Sequence, residues 1–139
     1  MATQTVSPHA PTQVISLRDT VLGLISLMAS QGRTRVPITE FFKIFGDLHE
    51  KFSSLLPPML FTHTAHSAYS KQLDDALQSL VGYSVELPNP TLQCIELQDQ
   101  VAKRHLIWLE KKFGRNFIDC LEPFARSFLA ELDSNQRTS

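Results

Sequence analysis

Ser70-Lys-Gln-Leu-Asp-Asp-Ala-Leu-Gln-Ser-Leu-Val-Gly82, continued by Tyr83-Ser-Val-Glu-Leu-Pro-Asn-Pro-Thr-Leu-Gln-Cys-Ile-Glu-Leu97, is the stretch on which the fold turns. Its first half places Leu73, Ala76, Leu77, Leu80 and Val81 on one side of a helix. Ser70 suits the N-cap, and Gly82 suits the position just past the helix. The second half alternates, with Tyr83, Val85 and Leu87 on one strand face. Pro88-Asn89-Pro90-Thr91 offers a turn, and residues 92–97 return as a second strand. A helix followed at once by a hairpin is the closing order of a winged helix.

Working backwards, residues 1–13 carry Ser, Thr, Gln and prolines with little to bury, and read as a flexible tail. Ser16 offers an N-cap to a first helix, with Asp19 as its capping-box partner. Leu17, Val21, Leu24, Ile25 and Met28 follow at helical spacing, and the helix should end near Ser30 with Gly32 just beyond. Gly32-Arg33-Thr34-Arg35-Val36 reads as a polar connector. Pro37 fits the first turn of a second helix. Ile38, Phe41, Phe42, Phe45, Leu48, Phe52 and Leu55 form its stripe for about five turns, up to Pro57-Pro58. Met59-Leu60-Phe61 could pair with the hairpin as a short strand, and residues 62–69 read as a loop.

Working forwards, residues 99–113 predict a fourth helix with Ala102, His105, Leu106, Leu109 and Phe113 inward. Lys103, Arg104, Ile107, Lys111 and Lys112 lie towards its outer side. Gly114 closes it, and Asn116 is placed to cap the next helix, whose stripe is Phe117, Leu121, Phe124, Phe128 and Leu132. Pro123 either kinks that helix or begins a new one. Residues 133–139 should fray.

The expected fold is mainly α with a small β-hairpin: a winged-helix-like core over residues 14–97 and two C-terminal helices over residues 98–132. That pair either packs on the core or forms a dimer interface. A chain of 139 residues suits one domain. Its net charge of −1 is low for a nonspecific nucleic-acid binder, so any such affinity must come from a local patch or a dimer, and weak charge favours self-association. Cys94 and Cys120 lack a CxxC spacing and read as reduced, buried small side chains. No segment approaches the roughly 20 apolar residues of a membrane span, and the N-terminus has no signal-peptide pattern. A cytoplasmic protein is the expectation.

The order of parts resembles the YwgA and Panacea (SocA-type antitoxin) winged-helix family over about residues 17–97. Gly32-Arg33-Thr34-Arg35 is similar to the Gly-Arg-Thr segment that opens the second helix there. Phe61-Thr62-His63 precedes Tyr69-Ser70-Lys71-Gln72-Leu73, which is similar to the family's Tyr-Ser-x-x-Leu start of the third helix. Ser67-Ala68 stands where Gly-Pro is common, and Val36-Pro37-Ile38 stands where Leu-Gln-Lys follows. The resemblance implies a prokaryotic regulatory or defence-associated module and no catalytic residues.

In a winged helix the third helix enters the major groove and the wing touches the backbone. That assigns Arg33, Arg35, Lys71, Gln72 and Gln78 to nucleic-acid contact, beside an unfavourable Asp74-Asp75. Trp108, Phe113, Phe117, Phe124 and Phe128 offer more aromatic surface than a small core needs, and are assigned to a homodimer or another protein interface. Lys103, Arg104, Lys111, Lys112 and Arg115 form the densest positive cluster, the patch for an anionic partner. His63 and His66 have a spacing that suits metal only on a helix, and their stretch reads as loop. His49 and His105 read as core-edge histidines. No nucleophile elbow is present. No catalytic residue, metal or cofactor is therefore assigned. The expected function is a non-enzymatic prokaryotic regulatory module that binds nucleic acid through a winged-helix-like surface as a dimer, in the class of DNA-binding transcription regulation. The alternative is a protein–protein adaptor of the same shape. Acids around the third helix would favour the adaptor; convergence of Arg33, Arg35 and Lys71 would favour DNA.

Overall fold

The computed structural model describes residues 15–63, 68–80 and 94–138. They are mainly helical: α1 (Leu17–Ser30), α2 (Ile38–Leu48), α3 (Lys71–Leu80), α4 (Asp99–Phe113) and α5 (Arg115–Thr138). Four short strands accompany them: β1 (Arg35–Pro37), β2 (Thr62–His63), β3 (Ala68–Tyr69) and β4 (Cys94–Glu96).

α1 is the centre. Ser16 Oγ accepts from the Asp19 backbone N–H at 3.2 Å and starts the helix. Gly32, with φ at +101°, lets the chain leave after Ser30. Every residue of α1 from Asp19 to Ala29 is buried, because α4, α5 and α3 all pack on this helix. A helix covered on all sides needs apolar residues around its whole circumference, and Val21, Leu22, Leu24, Ile25, Leu27 and Met28 supply them.

The antiparallel pairing of the strands corrects two expectations. Residues 81–93, with the proposed first hairpin strand and turn, lie outside the described residues. Part of the expected return strand is present as β4, and its observed partner is β1, between α1 and α2. Arg35 opposes Glu96, Val36 opposes Ile95 and Pro37 opposes Cys94. Val36 and Ile95 are both buried, so the pair is pinned to the core by one apolar contact across the strands. Arg35-Val36-Pro37 is thus a strand rather than a connector, with Pro37 ending it as the N-cap of α2. Met59-Leu60-Phe61 is not a strand; the pairing falls on the next residues, where Thr62 opposes Tyr69 and His63 opposes Ala68.

α2 is shorter than its stripe implies. It ends at Leu48, and a 3-10 turn follows at Ser53–Leu55. Phe52 leaves the helical path with φ at −114° and ψ at 36°. Its ring stacks on Phe124 with centroids 4.9 Å apart. Phe41 meets Phe128 and Phe45 meets Phe124, each at 5.4 Å, so the α2–α5 seam is built from phenylalanine.

The C-terminal pair packs on this core. Gly114, at φ +94°, turns α4 into α5. α5 begins at Arg115, which puts Asn116 inside the first turn instead of at the cap. α5 runs through Pro123 to Thr138, so neither a new start at Pro123 nor fraying from residue 133 is seen. Proline in a helix interior costs about 3 kcal/mol. Here Phe117, Ile118, Leu121, Phe124, Ala125 and Phe128 are buried on both sides of it, and that burial offsets the cost.

Candidate interaction surfaces

The residues expected to touch phosphate are held by partners within the chain. Arg33 forms an ion pair with Asp133 of α5, and its side chain is only 24% exposed. Arg35 pairs with Glu96 across the β1–β4 ladder at 3.1 Å. Lys71 pairs with Asp75 one turn along α3 at 3.3 Å. Gln72 donates to the Pro58 carbonyl and accepts from the Leu60 N–H, both at 3.0 Å, and so fastens the segment before β2 to α3. Gln78 donates to Asp74 at 3.5 Å. The arginines are tied to α5 and β4, and Lys71 to its own helix.

The outward side of α3 is acidic. Its one lysine stands against Asp74 and Asp75. Tyr69 donates its hydroxyl proton to Asp74 at 2.9 Å while its ring stacks on Phe42 with centroids 5.6 Å apart. The bond to the Asp74 carboxylate, with burial and the charge of Asp74 adding to it, raises the phenol pKa above its ordinary value. A phosphate backbone laid on this face would meet two carboxylates for each cation.

The aromatic interface set separates into two groups. Phe117, Phe124 and Phe128 are buried in the core of the single chain, so they are corrected from interface to packing. Phe113 is partly buried, edge-on to Phe117 at 5.3 Å. Trp108 alone of the set is well exposed, at 46%, and Ile107 beside it is 59% exposed. The periodicity of α4 had already placed Ile107 on the outer side. It gave no warning that Leu60, in an irregular segment, would be exposed as well.

Around Trp108 and Ile107 lie Lys103, Arg104, Lys111 and Lys112, all exposed. Among the described residues, no carboxylate forms an ion pair with any of them. Lys112 Nζ sits 4.8 Å from the Trp108 ring centroid and 5.2 Å from that of Phe113. Arg115 belongs elsewhere. It is gripped by Glu110 at 3.0 Å and Asp119 at 3.1 Å, and the hydrogen bond to Glu110, then that to Asp119, raises its pKa further.

An open cavity of about 420 Å³ is lined by His49, Glu50, Ser53, Leu56, Pro57, Pro58 and Met59. His49 lines it with its Nδ1 bonded to the Gly46 carbonyl at 2.7 Å and its ring packed on Phe61. His63 is exposed beside Phe61 and does not line the cavity, while His66 lies outside the described residues. Among the described residues no three of His, Cys, Asp and Glu converge as a metal site. Cys94 is half-buried and Cys120 is exposed, which corrects the expectation that both are buried. No helix among the described residues is long and apolar enough to cross a membrane. The chain matches no protein-family model, no curated protein and no solved structure.

Proposed function

We propose that this chain is a non-enzymatic protein-interaction module of winged-helix-like build, an adaptor or assembly subunit that does not read DNA with its third helix. The observation that carries this reading is the neutralisation of the cations expected to touch phosphate. Arg33, Arg35 and Lys71 each face a carboxylate of the same chain, and α3 presents Asp74 and Asp75 outward. Displacing those carboxylates to admit a phosphate would exchange one ion pair for another with no net gain in charge. The winged-helix description is supported by the order α1, β1, α2, α3, β4, with the β2–β3 pair set between α2 and α3, and by the antiparallel pairing of β1 with β4. It also agrees with the resemblance to YwgA and Panacea, which suggests a prokaryotic regulatory setting.

A second reading, a DNA-binding regulator, keeps one supporting observation: the cations on α4 that no carboxylate among the described residues pairs with. Titration of labelled duplex DNA at low and high salt, with light scattering on the same sample, separates the two. The adaptor reading expects binding no tighter than the nonspecific range of about 10⁻⁴–10⁻⁶ M, unchanged by Arg33→Ala with Arg35→Ala. Tighter, steeply salt-dependent binding that falls with that double substitution would establish the regulator in its place.

A further inference from the structure

We infer that the outward face of α4 is a docking surface for an acidic protein segment with an apolar centre, which names the partner class for the interaction module proposed above and rests on that reading. Arg104, Ile107, Trp108 and Lys111 follow one another at three-, one- and three-residue steps and lie on one helix face. Lys103 and Lys112 flank them. The opposite face is spent on the core, where Ala102 and Leu109 are buried. The result is a pair of apolar side chains bounded at each end by a pair of cations. The pairs lie eight residues apart, or about 12 Å along the axis. A central tryptophan inside a charged rim is the usual anatomy of an energetic interface centre.

The chemistry of the face selects among occupants. Ile107 and Trp108 together expose on the order of 200 Å² of apolar side chain, less than half the roughly 520 Å² of non-polar surface per partner in a homodimer interface of about 800 Å² that is about 65% non-polar. A two-fold contact between copies here would also set four cations against the same four. A single-stranded nucleic acid needs successive aromatic platforms, whereas Trp108 is the one exposed aromatic of this face, and Lys112 stands over its ring.

Charge decides the scale of the partner. The whole chain carries −1, so with these four positive charges set apart the remainder carries −5. An extended polyanion or an anionic bilayer reaches beyond the patch and meets that negative remainder. A short acidic segment senses only charges within a Debye length of about 8 Å; there the cations outnumber Glu110, which is itself paired with Arg115. Carboxylates two turns apart on a partner helix, with a leucine- or phenylalanine-class side chain between them, match the cation pairs and seat on Trp108.

The test is selection of a displayed random-peptide library on the immobilised full chain. The best peptide is then titrated by fluorescence anisotropy against the parent protein, Trp108→Ala, and Lys111→Glu with Lys112→Glu. All three residues are exposed, and circular dichroism checks that each variant stays folded. Enriched peptides should carry Asp or Glu on both sides of an apolar residue, weaken with salt, and lose about tenfold or more in affinity on each variant. No enrichment, neutral or basic peptides, or binding indifferent to the variants would overturn the assignment. So would phosphatidylserine vesicles or a single-stranded oligonucleotide binding more tightly than the peptide and losing affinity on the same variants. Failure here with no duplex DNA affinity removes only the α4 assignment. Duplex binding that responds to Arg33 and Arg35, and not to the α4 variants, removes the adaptor reading itself.

Discussion

Gly23→Ala is a sharp probe of how the C-terminal helices sit on the core. A Cβ on Gly23 would lie 2.5 Å from Leu121 Cδ1, 3.5 Å from Leu109 Cδ1 and 3.7 Å from Phe117 Cε2. Carbon atoms in good contact are about 3.5–4.0 Å apart, so Leu121 has to retreat by about 1 Å. It has little room to do so, because Leu121 and Leu109 are fully buried and Phe117 nearly so. Overpacking of this kind costs about 1–3 kcal/mol. Replacing glycine by alanine inside a helix returns about 1 kcal/mol. The net expectation is a loss of about 1 kcal/mol, or roughly 3–5 °C in Tm for a chain of this size. In a Leu121→Ala background, itself destabilised by about 2–5 kcal/mol, the obstructing methyl is gone. There the same Gly23→Ala change should stabilise by about 1 kcal/mol. Urea unfolding of the four proteins reads this reversal of sign directly. If Gly23→Ala stabilised both backgrounds equally, α5 would not be seated on α1 at this point, and the aromatic residues of α5 would return as candidates for an interface between chains.

Phe124→Ala should cost about 3–5 kcal/mol, because its ring is enclosed by Phe45, Phe52 and Phe128. Light scattering should show no change in mass, and a dimer that dissociates without loss of stability would contradict the packing. Tyr69 should titrate above its ordinary value when followed by ultraviolet absorbance, and Asp74→Asn should bring it down. The sign follows from the neutral phenol being the donor: this bond supports the fold below the unfolded tyrosine pKa of about 10 and is lost as pH rises through the higher folded value. Gln72→Ala should speed hydrogen exchange at the Leu60 amide, whose acceptor is the Gln72 side chain. An unchanged rate would place that acceptor elsewhere.

Four helix boundaries were legible in this chain, because their chemistry is local. Ser16, Gly32, Ser70 and Gly114 each act within a few residues, and each stands where its cap or turn chemistry puts it. The apolar periodicities of α3 and α4 likewise anticipated their buried faces, and α4 anticipated Ile107 and the outer cations. Three-residue strands carry no periodicity to read, so β1 was invisible until Val36 met Ile95. A stripe continuing past Leu48 could not reveal that Phe52 leaves the helix to reach Phe124. Phenylalanines of a core and of an interface look alike along a chain; α1 and α2, folded against α5, buried Phe117, Phe124 and Phe128. The candidate nucleic-acid site turned on the same kind of distance. Arg33 and Asp133 are 100 residues apart, and a charge whose partner lies at the other end of the chain reads as free until the backbone brings the two together.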